Sequence, residues 1–516
     1  MRKMKIKIMT GRFLHIAAAG CAALLVTTAQ AAAPGITGGT SAPIFDLRAE
    51  AARISQPDGA TVYSWGYGCN SAPTGFAPAA ISGANCPTMQ IPGPTLIVHQ
   101  GDVVTVKLTN NLPAAAGNTS ILFPGFAVTA TGGSPGILAP EAANGSTVTY
   151  TFTASTPGTH AYYSGTQGDL QIEMGLYGAL IVLPSTIPTN CTGTSNDQAK
   201  TDNGESDYRL AAAAYNHAKS CYDREYLFQF SEMDPRIHSQ AEQQANLACA
   251  QPNGCMSVET EPYHPAYFMM NGRSFPDNVD PTYASQYPHQ PYNANPHMHP
   301  GELTLVRQIG TGRWQHPFHE HANHLRVLAR DGNLLLTNTS NLAGPLLFTT
   351  TSTPGLAMDS LFYWTGKGLN WDVYGHGYAG DTSVCIPDAN GYYTSNPAAP
   401  NYFEWCGDHD KALEHKPFGQ VGSGGPVTLP DPNILANGPW YGGSPYLGPE
   451  ATQRAVGATP IPPSGTVANS PTDEAGFAFM WHSHNERELT TNNIFPGGLM
   501  TLMLVDPRAY KIDEAN

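Results

Sequence analysis

Charged residues are scarce in this chain of 516 residues, at 13% of the total, whereas glycine (53) and proline (44) are abundant. So little charge argues against long amphipathic helices and coiled coils, which need polar faces, and the sequence shows no short internal repeat. Many turn-forming residues between short apolar runs instead favour an all-β fold of short strands joined by turns.

Cationic residues are also few: 25 Lys and Arg stand against 40 Asp and Glu, a formal net charge of −15. An acidic surface argues against nucleic acids and anionic membranes as partners. Five of the cations precede an apolar run at residues 13–26, which is too short to favour a membrane span and is followed by small residues. This pattern predicts a signal peptide over residues 1–32, cleaved near Ala31–Ala33, and hence export to the periplasm or beyond the cell. Its removal takes away five basic and no acidic residues, which moves the formal charge to −20.

Cysteine is missing from the neighbourhood of every histidine pair discussed below. Eight cysteines follow the predicted signal, and an even number in an exported chain indicates disulfides. Proximity along the chain makes four pairings the simplest: Cys69–Cys86, Cys191–Cys221, Cys249–Cys255 and Cys385–Cys406.

Histidine is concentrated in one stretch, residues 316–324, which has four histidines in nine positions. Residues i and i+2 of a strand point to the same face, so His319 and His321 can reach one metal ion. A second pair, His482 and His484, lies in a similar apolar context far downstream. A surface cluster without metal is the alternative, but two such pairs favour a metal site, for which neutral imidazole suits copper and zinc alike.

Several segments resemble the multicopper oxidases. Residues 92–112 resemble the opening of that family's first cupredoxin domain, and residues 158–182 resemble its end. The motif beginning at His316 resembles the family's late His-Pro-x-His-x-His segment, and residues 481–484 resemble its final His-Cys-His segment. The resemblance implies tandem cupredoxin-like Greek-key β-sandwich or barrel domains with long loop insertions. It also implies a copper site with one Cys and two His ligands, and a three-copper cluster with eight His ligands.

This sequence departs from that ligand pattern. Leu122 and Pro124 stand at the first expected histidine pair, and Tyr163 and Gly165 stand at the second. Ser483 replaces the cysteine, and Glu488 replaces the histidine downstream of it. The remaining predicted metal ligands are His316, His319, His321, His482 and His484.

Other residues near these motifs were weighed as weaker candidates. Glu320 should face away from its neighbouring histidines, while Glu486 and Glu488 could add oxygen ligands. His160 and Tyr162 could cover the face that the first-domain histidines vacated. The pair His297 and His299 lies in a Pro- and Tyr-rich stretch, where a loop reading is favoured over a ligand reading.

The predicted organisation has two cupredoxin-like domains. The first covers residues 44–185 and the second residues 223–510, with a loop-rich insertion at 338–473. A linker at 186–222 joins them and is predicted to hold a short alanine-rich helix at residues 208–218.

Two functions follow from this reading. One is an exported, copper-binding oxidoreductase with a reduced His-only centre of one or few copper ions, or zinc, which could use a small-molecule reductant and dioxygen. The other is a non-catalytic cupredoxin protein for copper carriage or a structural or partner-subunit role. The missing ligands argue against ordinary laccase activity, and no catalytic residue or organic cofactor site is assigned. A homotrimer with metal sites between chains is left open, and no membrane insertion is expected.

Overall fold

The computed structural model describes residues 33–249, 252–366, 386–395, 403, 405, 407, 443–446, 476–506, 508 and 511–513. The predicted signal peptide and most of the predicted insertion lie outside these residues.

The first half of the chain forms two five-stranded sheets, with strand orders β4-β1-β5-β10-β9 and β3-β2-β6-β8-β7. Their strands are β1 Gly35–Thr37, β2 Ile44–Ser55, β3 Thr61–Cys69, β4 Gly75–Ala77, β5 Leu96–His99, β6 Val103–Asn110, β7 Thr129–Gly132, β8 Thr147–Thr153, β9 Gly158–Tyr163 and β10 Tyr177–Leu183. In β6, Val104, Val106 and Leu108 are buried between more exposed neighbours, as their alternation predicts. These side chains pack with residues of the facing sheet, such as Leu96 and Leu180, so the two sheets enclose one core. We call this unit the first sandwich.

The second half forms a seven-stranded and a six-stranded sheet. Their main orders are β12-β11-β14-β20-β16-β17 and β13-β23-β22-β15-β19, while β18 pairs with β16 and β21 with β22. The strands are β11 Arg224–Met233, β12 Tyr267–Met270, β13 His297–Met298, β14 Leu303–Gly310, β15 His316–Glu320, β16 Leu325–Arg330, β17 Asn333–Leu334, β18 Leu346–Leu347, β19 Thr349–Ser352, β20 Ala357–Tyr363, β21 Gly443–Tyr446, β22 Gly476–Ser483 and β23 Met500–Val505. Phe228 of one sheet meets Phe318 and Trp481 of the other, in the aromatic core of what we call the second sandwich.

The predicted all-β class, with tandem sandwiches, is therefore confirmed. The second sandwich differs in detail from its prediction, because β18, β19 and β20 all lie beyond residue 338, where the insertion was expected to begin. Met358 and Phe362 of β20 are buried, and β20 pairs with β14 over seven residues, so this segment belongs to the sheet.

Helices are few and short in the described residues: α1 Gly168–Gln171, α2 Ser195–Asn203 and α3 Pro235–Gln244. Helix α2 lies in the linker, but it precedes the alanine-rich segment predicted to be helical. The side chain of Thr194 accepts from the Asp197 backbone and Asp197 caps the Thr194 backbone in return, which fixes the helix start there. Ala213 is instead in a bridge with Cys221. None of the described helices has the length and apolar character needed to cross a membrane.

Three of the predicted disulfides are present: Cys69–Cys86, Cys191–Cys221 and Cys249–Cys255. The fourth predicted pair, Cys385–Cys406, lies outside the described residues.

A buried charge network joins the two sandwiches. Asp359 of β20 accepts hydrogen bonds from the backbone N–H (3.1 Å) and the hydroxyl (2.6 Å) of Thr159 in β9. Arg307 of β14 donates to the Thr159 hydroxyl (3.0 Å) and to Glu225 (2.9 Å). Because these buried groups satisfy one another across the junction, they specify how β9 lies against the second sandwich.

Candidate metal centre

Strand register brings the two distant histidine pairs together. β15 and β22 are antiparallel neighbours in which His319 lies directly opposite His482. The chain continues past β22 with the His484 N–H donating to the Pro317 carbonyl at 2.7 Å. Directly opposite residues project to the same face of a sheet, and so do residues two apart. His319, His321, His482 and His484 therefore form one group, which we call the four-histidine cluster.

The rings of this cluster are in mutual contact. The ring centroid of His319 lies 4.9 Å from the centroids of both His321 and His484. It lies 5.5 Å from the centroid of His482. The Nε2 atoms of His321 and His482 lie 3.1 Å apart. His319 and His482 are buried, His321 is half-buried and His484 is exposed, so one edge of the cluster faces solvent.

Hydrogen bonds orient two of the rings. The Nδ1–H of His482 donates to the carbonyl of Ser483 at 2.7 Å, which leaves Nε2 as the unprotonated nitrogen facing His321. A backbone carbonyl that holds the outer nitrogen is the usual partner of a metal-binding imidazole. Nδ1 of His319 lies 2.7 Å from the Thr349 hydroxyl.

Two rings of the cluster, those of His319 and His482, favour the uncharged form that metals require. Burial, together with the nearby His321, His482 and His484, lowers the pKa of His319 to about 4. Burial also lowers the pKa of His482 below its ordinary value. Because neutral imidazole is the ligand form, no proton must be displaced at either residue at neutral pH.

The donor spacing fits a metal at one pair of ligands. Two nitrogens that each lie about 2.0 Å from a tetrahedral metal are about 3.3 Å apart, close to the 3.1 Å between His321 and His482. Within the described residues, no set of three or more His, Cys, Asp or Glu side chains has its donors already arranged around one metal position. The structure thus supplies one pair at ligand spacing, with the rings of His319 and His484 beside it.

The structure sets His316, the fifth predicted ligand, apart from this cluster. Its Nδ1 lies 2.9 Å from Glu488 Oε2 and its Nε2 lies 2.9 Å from Glu232 Oε2, so carboxylates occupy both nitrogens. Ser483 donates its hydroxyl to the same Glu488 oxygen at 2.5 Å. We call His316, Glu232, Glu488 and Ser483 the glutamate clamp. The Glu488 carboxylate therefore binds His316 and Ser483, and its backbone N–H donates to the Asn485 carbonyl at 2.8 Å.

The clamp reaches the first sandwich. Glu232 accepts from the backbone N–H of Trp314 (2.8 Å) and lies 3.4 Å from the Tyr263 hydroxyl. That hydroxyl donates to Glu173, between α1 and β10, at 2.6 Å. Burial raises the pKa of Glu173 to about 8, so the Glu173 carboxyl group is protonated at neutral pH. Glu232, Glu173 and Tyr263 were not predicted from the sequence.

The clamp should make stability depend on pH. Burial alone would lower the pKa of His316, but its hydrogen bonds to Glu232 and Glu488 raise it to about 9. Because its pKa is higher in the folded state, protonated His316 stabilises the fold fully at pH values below the unfolded-state pKa of about 6.5. That stabilisation is lost as the pH rises towards the folded-state pKa of about 9. The loss should be about 3 kcal/mol for a shift of this size.

Urea unfolding between pH 6 and 10 measures this loss. The Glu488→Gln variant should show a smaller decline between pH 6.5 and 9, because one of the two carboxylates that raise the His316 pKa is gone. Glu486→Gln, an exposed change in the same turn, should decline like the parent protein. Identical pH profiles for the parent and Glu488→Gln would contradict a charged His316.

The weaker sequence candidates lie outside the cluster. Glu320 is buried on the opposite face of β15, where the Thr350 hydroxyl (2.5 Å) and Gln308 (3.1 Å) donate to it, and Glu486 is exposed. Nε2 of His160 lies 3.0 Å from the Thr156 carbonyl, and the Tyr162 hydroxyl donates to the Pro94 carbonyl.

His297 and His299 are buried and have acidic partners. Nδ1 of His297 lies 2.6 Å from Asp506, and Nε2 of His299 lies 2.7 Å from Glu205. This agrees with the interpretation that they are not ligands. The sequence predicted a loop here, but both histidines are buried and His297 lies in β13.

In the first sandwich, the positions at which the resemblance implies histidine pairs are closely packed. Leu122 and Tyr163 form a backbone bridge, with the Leu122 N–H donating to the Tyr163 carbonyl at 2.7 Å. A Cβ atom at Gly165 would lie 2.8 Å from the Leu122 side chain, so Leu122 already fills that space. Beside them, Gln171 accepts from the buried hydroxyls of Thr119 (2.8 Å) and Ser164 (2.6 Å). Packing and neutral hydrogen bonds occupy the positions at which the sequence resemblance implies imidazoles.

Comparison with known proteins finds similarity in part of the chain. Residues 79–186 match the family model described as multicopper oxidase. An L-ascorbate oxidase from Brassica rapa subsp. pekinensis is 38% identical over 96 residues, which is 18% of this chain and 16% of the relative. Multicopper oxidase MCE from Talaromyces pinophilus is 34% identical over 111 residues, 21% of this chain and 18% of the relative. The chain thus aligns with less than a fifth of the length of these curated relatives.

Among solved structures, multicopper oxidase mgLAC aligns over 91% of this chain and 88% of its own, with 15% identity and a TM-score of 0.46. The blue copper oxidase from Nitrosomonas europaea aligns over 89% and 85%, with 15% identity and a TM-score of 0.43.

The fold and the site define a two-sandwich, all-β protein with a four-histidine cluster on its second sandwich. The matched segment, residues 79–186, is similar to the multicopper oxidases, and the resemblance inferred from the sequence is confirmed for that segment.

Proposed function

We propose that this chain is an exported copper-binding protein that has lost the thiolate copper site of its relatives and keeps a His-only centre. The observation that carries the proposal is the pairing of His319 with His482, which brings the Nε2 atoms of His321 and His482 to 3.1 Å. His319, His321, His482 and His484 would hold the metal. An all-imidazole site suits copper and also zinc.

The chain's own residues give this centre its character. Ser483 holds the outer nitrogen of His482 through its carbonyl, while its hydroxyl is committed to Glu488. The exposed His484 leaves one edge open to small molecules such as dioxygen or a reductant. When bound, copper would supply one-electron redox chemistry. We assign no further step to it.

A non-catalytic role is the second candidate, and a specific observation favours it. The positions of the first-sandwich ligands are filled by Leu122 and a neutral hydrogen-bonded network, and the thiolate position is part of the glutamate clamp. Copper carriage or a partner-subunit role needs only the four-histidine cluster. The same observation weighs against a homotrimer in which a neighbour's first sandwich completes a three-copper cluster.

Copper stoichiometry tests the proposal. The metal-free protein, reconstituted with copper, should hold about one ion per chain without an intense blue thiolate band, because one imidazole cluster offers one set of ligands. His321→Ala/His482→Ala should lose that ion. His99→Ala/His217→Ala removes two histidines outside the cluster and should retain it.

The possible results separate the candidates. Copper binding that the cluster variant abolishes, with dioxygen consumption in the presence of a phenolic reductant, supports the oxidoreductase. The same binding without consumption supports carriage or a structural role. Absence of stoichiometric copper, or copper unaffected by the cluster variant, would refute the His-only centre. Three or four coppers with a blue band would contradict the ligand assignment.

A further inference from the structure

A cavity of about 730 Å³ lies between the linker and the outer face of the second sandwich. The linker side includes Cys191, Cys221 and Tyr222, and the sandwich side includes strands β16 and β20. Its volume is within the range of small-molecule sites, about 300–1,000 Å³. The four-histidine cluster does not line this cavity, so it is a separate feature of the molecule.

The linker wall is held in place by covalent and hydrogen bonds. The Cys191–Cys221 disulfide ties its two arms together. Nδ2 of Asn190 donates to the Ala218 carbonyl at 2.8 Å, closing the rim across the same disulfide. A wall fixed in this way exists before any ligand arrives, which lowers the entropic cost of binding.

The sandwich wall is largely apolar. Leu303, Leu346, Leu361 and the ring of Tyr363 line it, together with the ring of His324. Leu346 is 52% exposed and Tyr363 is 37% exposed, high values for apolar and aromatic side chains that share one concave surface. Such a surface favours a ligand with an apolar, flat body.

The amide side chains of the lining are already committed to the protein. Asn196 donates to Asp223 (2.9 Å) and the Gly301 carbonyl (3.1 Å), and it accepts from Arg508. Asn323 donates to the Tyr363 carbonyl at 2.8 Å. These amides shape the cavity, and they leave its cations as the groups that can select a ligand.

Those cations are Arg326 and Lys219. Arg326 is half-buried in β16, and its one hydrogen bond among the described residues is from Nη1 to the Gly344 carbonyl, at 2.8 Å. The other guanidinium N–H groups are therefore available to a carboxylate, for which their planar geometry is suited. Lys219 lies at the exposed rim.

The acidic group of the lining does not cancel these charges. Asp223 is buried, and its Oδ2 accepts from the Leu303 N–H (2.8 Å) and from Asn196. The buried ammonium of Lys200 contacts the Asp223 carbonyl behind it. The lining therefore holds two cations against one carboxylate, a net positive charge that favours an anionic ligand in a chain of net charge −15.

From this arrangement we infer that the cavity binds a small aromatic carboxylate, with the carboxylate on Arg326 and the ring against Leu361 and Tyr363. The site does not depend on metal. The Phe348 ring contacts both the cavity and the cluster, at 5.3 Å from the ring of His324 and 5.7 Å from the ring of His319 between centroids.

Calorimetric titration of the copper-free protein tests the inference. Benzoate should bind, and benzamide and benzylamine, its neutral and cationic counterparts, should bind at least about tenfold more weakly because they lose the charge-assisted bond. Arg326→Gln should weaken benzoate by about tenfold or more. Arg330→Gln, an exposed change on the same strand, should leave it unchanged.

Two further measurements keep the test decisive. Arg326→Lys retains the charge without the planar fork and should bind benzoate with intermediate affinity, provided that its melting temperature matches the parent. The copper stoichiometry of Arg326→Gln should equal that of the parent, so failure of this site and failure of the His-only centre are distinguishable. Benzoate binding that is absent, equal to that of benzamide, or unaffected by Arg326→Gln would overturn the inference.

Discussion

Replacing Glu232 with alanine should lower the free energy of unfolding by about 3–5 kcal/mol, the cost of removing one partner from a buried ion pair. Glu232 and His316 are both fully buried, and their contact is 2.9 Å. The change would leave the imidazolium with one carboxylate. It would also strip the Trp314 N–H of its acceptor, and each buried unsatisfied group carries a further penalty.

Urea denaturation at pH 7 measures this effect. The matched control is Glu261→Ala, which removes the exposed partner of Arg313 at 2.6 Å and should cost no more than about 1 kcal/mol. Glu232→Gln keeps the shape and a hydrogen-bonding oxygen but not the charge, so it should fall between the two. A Glu232→Ala variant as stable as the Glu261→Ala control would show that the clamp does not stabilise the fold.

The histidine pairs could be predicted because their information is local. Strand periodicity alone places His319 with His321 and His482 with His484, and the flanking apolar residues mark the strands. The register between β15 and β22 is a long-range property, which depends on how the whole sheet assembles. The sequence suggested that the pairs converge, but it could not give the His321–His482 contact.

The glutamate clamp could not be predicted for the same physical reason. Glu232 is 84 residues from His316 in the chain, and in the pattern of β11 it resembles any polar residue of a strand. The resemblance predicted that Ser483 and Glu488 stand at ligand positions. It did not predict that they belong to a closed set of hydrogen bonds around His316.

Helix placement and disulfides show where local signals suffice. Alanine content predicted a helix at residues 208–218, whereas the Thr194–Asp197 capping box set the observed start of α2. Capping groups satisfy the backbone donors at a helix start, which composition does not report. The prediction that neighbouring cysteines pair was correct for the three disulfides within the described residues. Each of these bonds joins cysteines that are close in the chain.

The contacts of the clamp also predict which substitutions would create a thiolate copper site. Ser483→Cys alone should add no intense blue band, because Glu488 still occupies Nδ1 of His316 and the clamp has no second imidazole to bind copper. Ser483→Cys/Glu488→His should gain a blue band and about one additional copper per chain, since two imidazoles and a thiolate are the usual donors of such a site. Glu232 would stay on Nε2 of His316, as an outer carboxylate that orients the ring.

Visible and spin-resonance spectra of the copper-loaded variants check this contrast. Ser360→Cys places a thiol at another fully buried serine of the second sandwich and should remain colourless, which controls for thiol binding of copper elsewhere. A blue band in Ser483→Cys alone would mean that copper displaces Glu488 from His316. The contacts of the clamp would then be too weak to exclude copper. Its absence from the double variant would mean that residues beyond Ser483 and Glu488 have closed the site, with Glu232 the first to test because it holds the other nitrogen of His316.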